Sequence, residues 1–424
     1  MARFRGLPGA FPRYLHLLRI QYWHPEKLRK YTDRRLRDSL AAAVRIPFYR
    51  DRFGSADSRT LEFGSLPILP RHQVSQLAES VRSLYPPATQ LLSSRTSGST
   101  AMPITCYFDA RHQAGRFAAR ARYLIQNGWS PFRRSAWIMN IAMSSPDAAF
   151  SRDSRFLGAR FFPHTSDLER QADWLQELDP LYLYAYPVNL DGLARIFEAR
   201  GRRLSSLRKI FSASEVLEDS MRARLRRVFG VDVSDNYGST EAFLAGQCPQ
   251  GSYHVNAEHV LLEIVDEAGR PSAQGALGRV LVTTLENHLM PLIRYEIGDY
   301  AIAAEGACPC GRTLPRIERI VGRVINLFVD RDGKRFVPWD LFNRLKAREW
   351  VTQYQVVQRD VDRFTVRYAA SRVFAPEDEA DVRRHFQEII GSPITVDFEW
   401  LDQIPRAPSG KFMAALCELA AVER

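Results

Sequence analysis

Two segments of the chain carry residue types suited to phosphate and magnesium. Ser93–Pro103, with the sequence SSRTSGSTAMP, places six Ser or Thr residues around one glycine. Hydroxyls and free backbone N–H groups in such a loop form a concavity that binds phosphate oxygens. Asp235–Ala242, DNYGSTEA, presents Thr240 and Glu241 side by side. A hydroxyl beside a carboxylate suits Mg²⁺, which prefers oxygen ligands and often shares them with phosphate.

Two later segments add a carboxylate and a lysine. In Leu292–Ala301, LIRYEIGDYA, Asp299 follows Gly298 at the predicted end of an apolar strand. A carboxylate there can accept hydrogen bonds from vicinal ribose hydroxyls. In the C-terminal segment IPRAPSGKF, prolines and a glycine hold Lys411 on a loop. Its ammonium suits the charge that develops between a substrate carboxylate and an α-phosphate.

Each segment also has an ordinary structural explanation when it is taken alone. A Ser/Thr/Gly cluster is typical of an exposed linker, and Ser or Thr after a strand commonly caps a helix. A Gly-Asp pair forms plain turns, and a single lysine is usually a surface charge. The four segments favour a nucleotide site because they occur together in one chain.

Four further residues have the types that bind zinc. Cys248 and His254 are separated by five residues, and Cys308 and Cys310 by one. Zinc prefers a tetrahedral set of thiolates and imidazoles, and a Cys₃His set closes a structural site. The C-x-C spacing is shorter than the usual one, and three buried cysteines with an unrelated histidine are the alternative; the pattern favours zinc. His259 and His288 are interpreted as structural histidines.

The elements that must position these residues change in type along the chain. Residues 1 to about 90 have helical spacing, and strands such as KIFSASE then alternate with helices such as DSMRARLRRVFG, which indicates an α/β fold. Residues of about 245–320 read as a β subdomain. The hairpin signal FVDRDGKRFVP opens a final α+β segment. We therefore predict an N-terminal domain of residues 1–322 and a C-terminal domain of residues 323–424.

Composition excludes some classes of protein. Lys plus Arg total 59 against 48 Asp plus Glu, and the formal net charge is +11. The excess is spread over helical stretches without interleaved stacking aromatics, so solvated helix faces are favoured over nucleic-acid binding. No apolar stretch approaches the ~20 residues of a membrane span, and the N-terminus does not read as a secretory signal. We predict a cytoplasmic protein that binds neither nucleic acid nor membrane.

The order and character of the four segments resemble the adenylate-forming superfamily, and within it the short phenylacetate–CoA ligase-like group, which includes capsular-polysaccharide-ligase-like proteins. Supporting stretches are IPFYRDRF, FSASE, NHLMPLIRYEIGD, CPCGRTLPRIERIVGR and PSGK. The resemblance implies a large α/β domain with a β subdomain and a small α+β lid that rotates. It implies ATP and Mg²⁺, a structural Zn²⁺ through a similar Cys/His pattern, a carboxylic acid substrate, and a protein that can form a homodimer.

The resemblance also assigns roles to individual residues. Lys411, Thr240 and Glu241 would be catalytic, with Glu241 on Mg²⁺. The nucleotide would be held by Ser97, Gly98, Ser99, Thr100, Ser214, Glu215, Asp235, Asn236, Tyr237, Asp299 and Arg323, with Arg294 and Arg312 as neighbours. The acid would contact Tyr184, Tyr186 and Tyr237, and together with Trp137 these aromatics favour an aryl or small acid. The alternative is that they are residues of the core. The expected reaction forms an acyl-adenylate, which is then transferred to a thiol such as CoA.

Two departures from the family pattern leave alternatives open. Ala101-Met102-Pro103 stands where the phosphate loop usually reads Gly-Lys-Pro. The hinge motif reads Gly322-Arg323-Val324 followed by Ile325 and Asn326, without the usual Asp or Lys. Transfer to an amine, a hydroxyl or a carrier-protein-bound acceptor is therefore the alternative, and a non-catalytic nucleotide-binding protein is the third hypothesis.

Overall fold

The computed structural model describes residues 7–54, 57–95, 104–139, 158–323, 327–333, 335–336, 339–346, 348, 350–391, 393–405 and 413–419, without the side chains of residues 7, 8, 323, 339, 340, 343 and 346. The chain divides into two compact units, Met1–Ile320 and Val321–Arg424. Within the described part, no helix combines the length and apolar character needed to cross a membrane.

The first unit begins with helices, as the sequence predicts. The first four are α1 (Leu7–Ile20), α2 (Pro25–Ala43), α3 (Pro47–Phe53) and α4 (Val74–Arg82). Proline stands in the first turn of α2 and of α3, where its missing N–H costs nothing. Short 3₁₀ turns lie between α3 and α4, and the last of them contains Arg71.

A two-stranded antiparallel hairpin leads into the main sheet. Its strands are β1 (Leu92–Arg95) and β2 (Thr105–Phe108). The start of the predicted phosphate loop is therefore a strand, because Ser93 and Ser94 pair with Tyr107 and Cys106. The loop prediction is wrong for these two residues.

Eleven strands form one mixed sheet, in the order β10-β11-β12-β13-β9-β8-β7-β6-β5-β3-β4. The parallel part contains β3 (Ser135–Met139), β4 (Ala159–Pro163), β5 (Tyr182–Ala185), β6 (Lys209–Ala213) and β7 (Val233–Gly238). The helices around it are α5 (Ala110–Gln126), α6 (Leu168–Leu178), α7 (Pro187–Ala199) and α8 (Asp219–Phe229). On α7, Leu190, Leu193, Ala194 and Phe197 recur at the spacing of one helical face and are buried.

The strands of the predicted β subdomain continue this same sheet. They are β8 (Phe243–Gln247), β9 (Tyr253–Val255), β10 (Val260–Val265), β11 (Leu277–Thr284), β12 (Tyr295–Ala303) and β13 (Arg316–Arg323). The direction changes at β7, which pairs in parallel with β6 and antiparallel with β8. The carboxyl end of β7 is therefore flanked by both halves of the sheet, the kind of place where α/β sheets bind ligands.

The second unit is a two-layer α+β module. The hairpin β14 (Phe328–Val329) and β15 (Arg335–Phe336) precedes α9 (Trp339–Lys346), and a four-stranded sheet follows with the order β18-β17-β16-β19. These strands are β16 (Val351–Asp360), β17 (Arg363–Ala370), β18 (Thr395–Trp400) and β19 (Ala415–Cys417), and α10 (Pro376–Ile390) packs with them. The mixed α/β fold with a C-terminal α+β region confirms the predicted fold class.

Candidate active site

Two tyrosines join the segment after β7 to strand β12. The Tyr237 hydroxyl donates a hydrogen bond to Asp299 Oδ2 at 2.7 Å. The Tyr295 hydroxyl donates to Glu241 Oε1 at 3.1 Å. In each segment the tyrosine precedes the carboxylate by four residues, so the two bonds run in opposite directions between the segments. All four side chains are buried. The DNYGSTEA and LIRYEIGDYA segments therefore converge.

Glu241 is held by a second donor. Arg71 Nη1 lies 3.4 Å from Glu241 Oε1 and donates to the Tyr295 hydroxyl oxygen at 2.8 Å. Burial raises the pKa of Tyr295, so its hydroxyl stays protonated as a donor. Within the described residues, the donors to the Glu241 side chain meet Oε1, which leaves Oε2 for a cation. The carboxylate thus fits a magnesium ligand.

A bulge in β12 sets the position of Asp299. Arg279 pairs with Tyr300 and Leu281 with Glu296, so three residues of β12 face one residue of β11. Gly298 lies in this bulge at φ 86°, a backbone conformation in which side chains are disfavoured. Asp299 therefore lies within a strand, and the predicted position at a strand end is wrong.

The FSASE segment turns sharply at the carboxyl end of β6. Ser214 has φ 72°, which is uncommon for a residue with a side chain. Glu215 Oε2 accepts a hydrogen bond from the Val188 N–H at 3.3 Å, in the first turn of α7. A carboxylate is favoured there by the positive end of the helix.

Asp235 and Asn236 are tied to neighbouring strands. The Asp235 carboxylate accepts hydrogen bonds from the hydroxyls of Ser212 and Tyr253, and burial raises its pKa to about 6. Asn236 Nδ2 donates to the Ser212 carbonyl at 2.9 Å and to the Tyr184 hydroxyl at 3.1 Å. These bonds fix the strand that carries Tyr237.

An aromatic row crosses four parallel strands. Phe161, Trp137, Tyr184 and Phe211 are register partners on β4, β3, β5 and β6. Trp137 stacks on Tyr184 with ring centroids 4.4 Å apart. Tyr186 follows the end of β5 and contacts His164 edge-on, with centroids 5.0 Å apart. Trp137, Tyr184 and Phe211 are buried, so Tyr184 belongs to the packed core beside the strand ends.

The four predicted metal ligands form one cluster. The ligand atoms of Cys248, His254, Cys308 and Cys310 all lie within 4.8 Å of one another. Cys248 Sγ is 3.8 Å from Cys308 Sγ, and Cys310 Sγ is 3.2 Å from His254 Nε2. Zinc–sulfur bonds of ~2.3 Å in tetrahedral geometry separate two sulfurs by about 3.8 Å. The cluster therefore fits zinc in donor type and spacing, and the cysteines are free thiols.

Comparison with known proteins gives a consistent assignment. A family model described as AMP-binding enzyme matches residues 156–290, and one described as CapK C-terminal domain matches residues 328–416. The phenylacetate-coenzyme A ligase of Thermus thermophilus is 27% identical over 432 residues, which cover 92% of this chain and 96% of that protein. Protein CapK of Staphylococcus aureus is 25% identical over 56% of this chain and 53% of its own length.

The fold has a solved counterpart. The structure of a 2-hydroxyisobutyryl-CoA ligase in the postadenylation state, in complex with an adenylate, superimposes with a TM-score of 0.74 at 20% identity, covering 96% of this chain and 92% of that one. This chain is an adenylate-forming, phenylacetate–CoA ligase-like protein. It is an AMP-forming ligase, and acid activation is its general chemistry.

Some expected residues of this phenylacetate–CoA ligase-like protein fall outside the described structure. They are Ser97, Gly98, Ser99, Thr100 and Lys411, and Arg323 is described only in its backbone. Of the others, Tyr237 is hydrogen-bonded to Asp299, and Tyr295 of the same strand is hydrogen-bonded to Glu241. Thr240 precedes Glu241 in the chain. Ser214, Glu215 and Tyr186 lie at the neighbouring ends of β6 and β5.

Two arginines expected near the ribose donate hydrogen bonds to other parts of the protein. The Arg294 guanidinium donates to the carbonyls of Gly64, Leu66 and Gly269 at 2.8–2.9 Å. It also pairs with Glu263 at 3.2 Å. Arg312 Nη2 donates to Gln126 Oε1 at 2.7 Å, at the end of α5. Arg294 thus donates to loop carbonyls and Arg312 to a side chain of α5, and their expected place close to the ribose stays a prediction.

Sequence reasoning missed four side chains around the Thr240–Glu241 segment. They are Arg71, Tyr295, His112 and Arg116. Tyr295 stands in the LIRYEIGDYA segment, where its spacing of four from Asp299 matches that of Tyr237 from Glu241. Arg71, His112 and Arg116 lie in ordinary helical sequence, and only the fold brings them here.

Proposed function

We propose that this ligase activates an aryl or small carboxylic acid with ATP and transfers the acyl group to a thiol such as CoA. The observation that carries the proposal is the pair of opposed hydrogen bonds, Tyr237 to Asp299 and Tyr295 to Glu241. They hold together the two segments that carry Asp299, the carboxylate proposed for the ribose, and Glu241, the carboxylate proposed for magnesium. One nucleotide can therefore meet both.

The proposed chemistry is an in-line displacement at the α-phosphorus. A substrate carboxylate oxygen attacks, a P–O bond to pyrophosphate breaks, and an acyl-adenylate forms. The roles proposed for this chain are phosphate binding by residues 97–100, contact with the α-phosphate by Thr240, and charge neutralisation by Lys411. Magnesium on Glu241 would neutralise phosphate charge. Positioning and electrostatics supply the rate, so no protein nucleophile is required.

The proposed acid site lies beside the ends of β5 and β7. Tyr186 directly follows β5 and Tyr237 belongs to β7, and each carries an aromatic face on which an aryl ring can stack. Tyr184 is stacked on Trp137 in the core beside them. A relative that is a phenylacetate-coenzyme A ligase supports an aryl acid. A small aliphatic acid is the second option.

The acceptor in the second step has one alternative. In the thioester route the CoA sulfur attacks the acyl carbonyl and AMP leaves. The hinge sequence lacks the usual Asp or Lys after Gly322-Arg323, and this departure favours transfer to an amine, a hydroxyl or a carrier protein as the second candidate. A structural zinc in the Cys₃His cluster, a homodimer and a cytoplasmic location remain predictions.

The test is exchange of labelled pyrophosphate into ATP. Purified protein with MgATP is incubated with a panel of arylcarboxylic and short aliphatic acids, and we expect acid-dependent exchange with at least one of them. CoA is then added, and acyl-CoA formation is compared with plain AMP release. A folded protein that exchanges with no acid contradicts the activity. Exchange without CoA consumption assigns the second step to another acceptor.

A further inference from the structure

Side chains of helix α5 contact the backbone of the Thr240–Glu241 segment. His112 Nε2 lies 3.0 Å from the carbonyl oxygen of Glu241. Arg116, one turn later, donates through Nη1 to the Thr240 carbonyl at 3.1 Å and through Nη2 to the Ser239 carbonyl at 3.5 Å. Two side chains of one helix face therefore hold three successive carbonyls of the proposed magnesium and phosphate segment.

The hydrogen bond fixes the tautomer of His112. A carbonyl oxygen only accepts, so Nε2 carries the proton. The ring is fully buried, and burial lowers its pKa well below the usual value, which keeps the imidazole neutral. Its plane is set by stacking on both sides, with Phe108 at 5.1 Å and His259 at 4.6 Å between centroids.

A buried ion-pair cluster fixes the second ring. His259 Nδ1 lies 3.1 Å from Glu286 Oε2. Glu286 Oε1 is 2.6 Å from Arg13 Nη1. Burial opposes ionisation of Glu286, but the His259 hydrogen bond and the arginine charges outweigh it and lower the pKa of Glu286. The carboxylate is thus charged, and it anchors the imidazole on which His112 stacks.

A glycine of α5 makes room for this cluster. A Cβ added at Gly115 would lie 1.9 Å from Glu286 Oε2 and 3.0 Å from His259 Nδ1. The start of α5 is also anchored to the segment that follows Glu286, because Asp109 caps the helix and accepts the His288 N–H at 2.8 Å. The helix, the cluster and the Thr240–Glu241 segment are therefore held in one register.

We infer that His112 is a positioning residue for MgATP: its Nε2–H fixes the Glu241 backbone, and so aims the Thr240 hydroxyl and the Glu241 carboxylate at phosphate and magnesium. This inference rests on the proposed function. Removal of the donor leaves a buried carbonyl without its partner, which has a cost in free energy. Part of that cost would appear as weaker MgATP binding.

The experiment compares His112→Leu with His112→Gln. Glutamine places an amide N–H where Nε2 stands, whereas leucine fills the space without a donor. We expect His112→Leu to raise the KM for MgATP in pyrophosphate exchange roughly tenfold, with a smaller change in kcat, and His112→Gln to restore most of the affinity. Arg116→Met should also raise this KM, because it removes the donor to the Thr240 and Ser239 carbonyls.

His385→Leu is the matched control, because His385 is a buried histidine of the second unit that contacts a backbone carbonyl, Asp381 O, at 3.1 Å. It should lower the melting temperature without raising the KM for MgATP. The inference is overturned if His112→Leu and His385→Leu have equal KM values for MgATP. It is also overturned if the KM of His112→Gln is as high as that of His112→Leu.

Direct calorimetric titration of MgATP separates the inference from the activity. If the wild-type protein binds MgATP but exchanges with no acid, the proposed function fails, and weaker MgATP binding by His112→Leu still supports the inference. Unchanged MgATP binding by His112→Leu overturns the inference even if acid activation is observed.

Discussion

Glu241 illustrates how neighbouring side chains decide what one carboxylate can do. Tyr295 and Arg71 both approach Oε1, and the residue is 3% exposed. Two donors on one oxygen orient the carboxylate. The remaining oxygen is then preorganised for a hard cation.

Replacing Glu241 by glutamine tests this assignment. Glutamine keeps the shape and an acceptor oxygen but removes the charge. We therefore expect pyrophosphate exchange to fall by roughly a hundredfold, as for other electrostatic groups at reacting centres, and the Mg²⁺ concentration for half-maximal rate to rise.

The matched control for this change is Glu263→Gln, since Glu263 also pairs with an arginine, Arg294, but on β10. It should leave the Mg²⁺ dependence unchanged. An identical Mg²⁺ response of both variants would contradict the role of Glu241.

Single residues also show where sequence reasoning stops. The proximity of the segments that carry Glu241 and Asp299 was predictable, because the residue types of these short segments suit one chemistry. Arg71 was not, since it precedes Glu241 by 170 residues and its segment has no motif. The resemblance placed Arg294 and Arg312 close to the ribose, and in the structure their guanidinium groups donate to loop carbonyls and to Gln126.

Among the elements, the β8–β9 hairpin connects the metal cluster to β7, the strand that carries Asp235 and Tyr237. Gln247, next to Cys248, accepts the Asp235 N–H at 2.8 Å. Tyr253, next to His254, donates to the Asp235 carboxylate. A metal bound by Cys248, next to β8, and by His254, in β9, would therefore also hold β7 in place.

Loss of the metal should loosen this hairpin and so weaken MgATP binding at the active site. We expect wild-type protein to contain about one zinc per chain by mass spectrometry, as a closed four-ligand site holds. Cys308→Ser should lose the zinc, unfold at a lower temperature and bind MgATP more weakly.

Cys417→Ser is the control, because Cys417 is buried in the second unit and donates to Gln358. It should retain zinc. The assignment would be contradicted if wild-type protein from zinc-supplemented medium contained no metal. It would also be contradicted if Cys308→Ser left the stability unchanged.

The bulge in β12 could not be predicted from the sequence, although the strand itself could. Alternation and apolar content predicted a strand over this segment, and the strand is present. The extra residues around Gly298 depend on how β11 pairs with β12, which no local pattern contains. The same holds for the sheet, since the strands of the β subdomain join the parallel strands through pairing across β7 and β8.

For the whole molecule, the fold class was predictable because residue periodicity changes from helical spacing to α/β alternation and then to an α+β segment. The two compact units are each built around their own buried core. The lid role of the second unit rests on the resemblance, and Lys411 is its proposed catalytic contribution.

Lys411→Ala tests that contribution. We expect adenylate formation to fall by roughly a hundredfold or more, because a charge aimed at the α-phosphate is lost. MgATP binding and the conversion of a supplied acyl-adenylate to product should persist, since neither requires charge stabilisation of the first step. The measurements are pyrophosphate exchange and product formation from the synthetic adenylate.

Lys30→Ala is the control, because Lys30 pairs with Glu26 on the exposed surface of α2. It should leave both steps unchanged. An unaltered exchange rate in Lys411→Ala would remove the lysine from the mechanism.

The opposed tyrosine bonds have a consequence for biosynthesis of the chain. They join residues 54 and 62 positions apart. A nascent polypeptide that ends before Tyr295 already contains Glu241 and Tyr237 but neither of their partners. Ligand-assisted folding on the ribosome therefore has no complete binding surface to act on until Asp299 has left the exit tunnel.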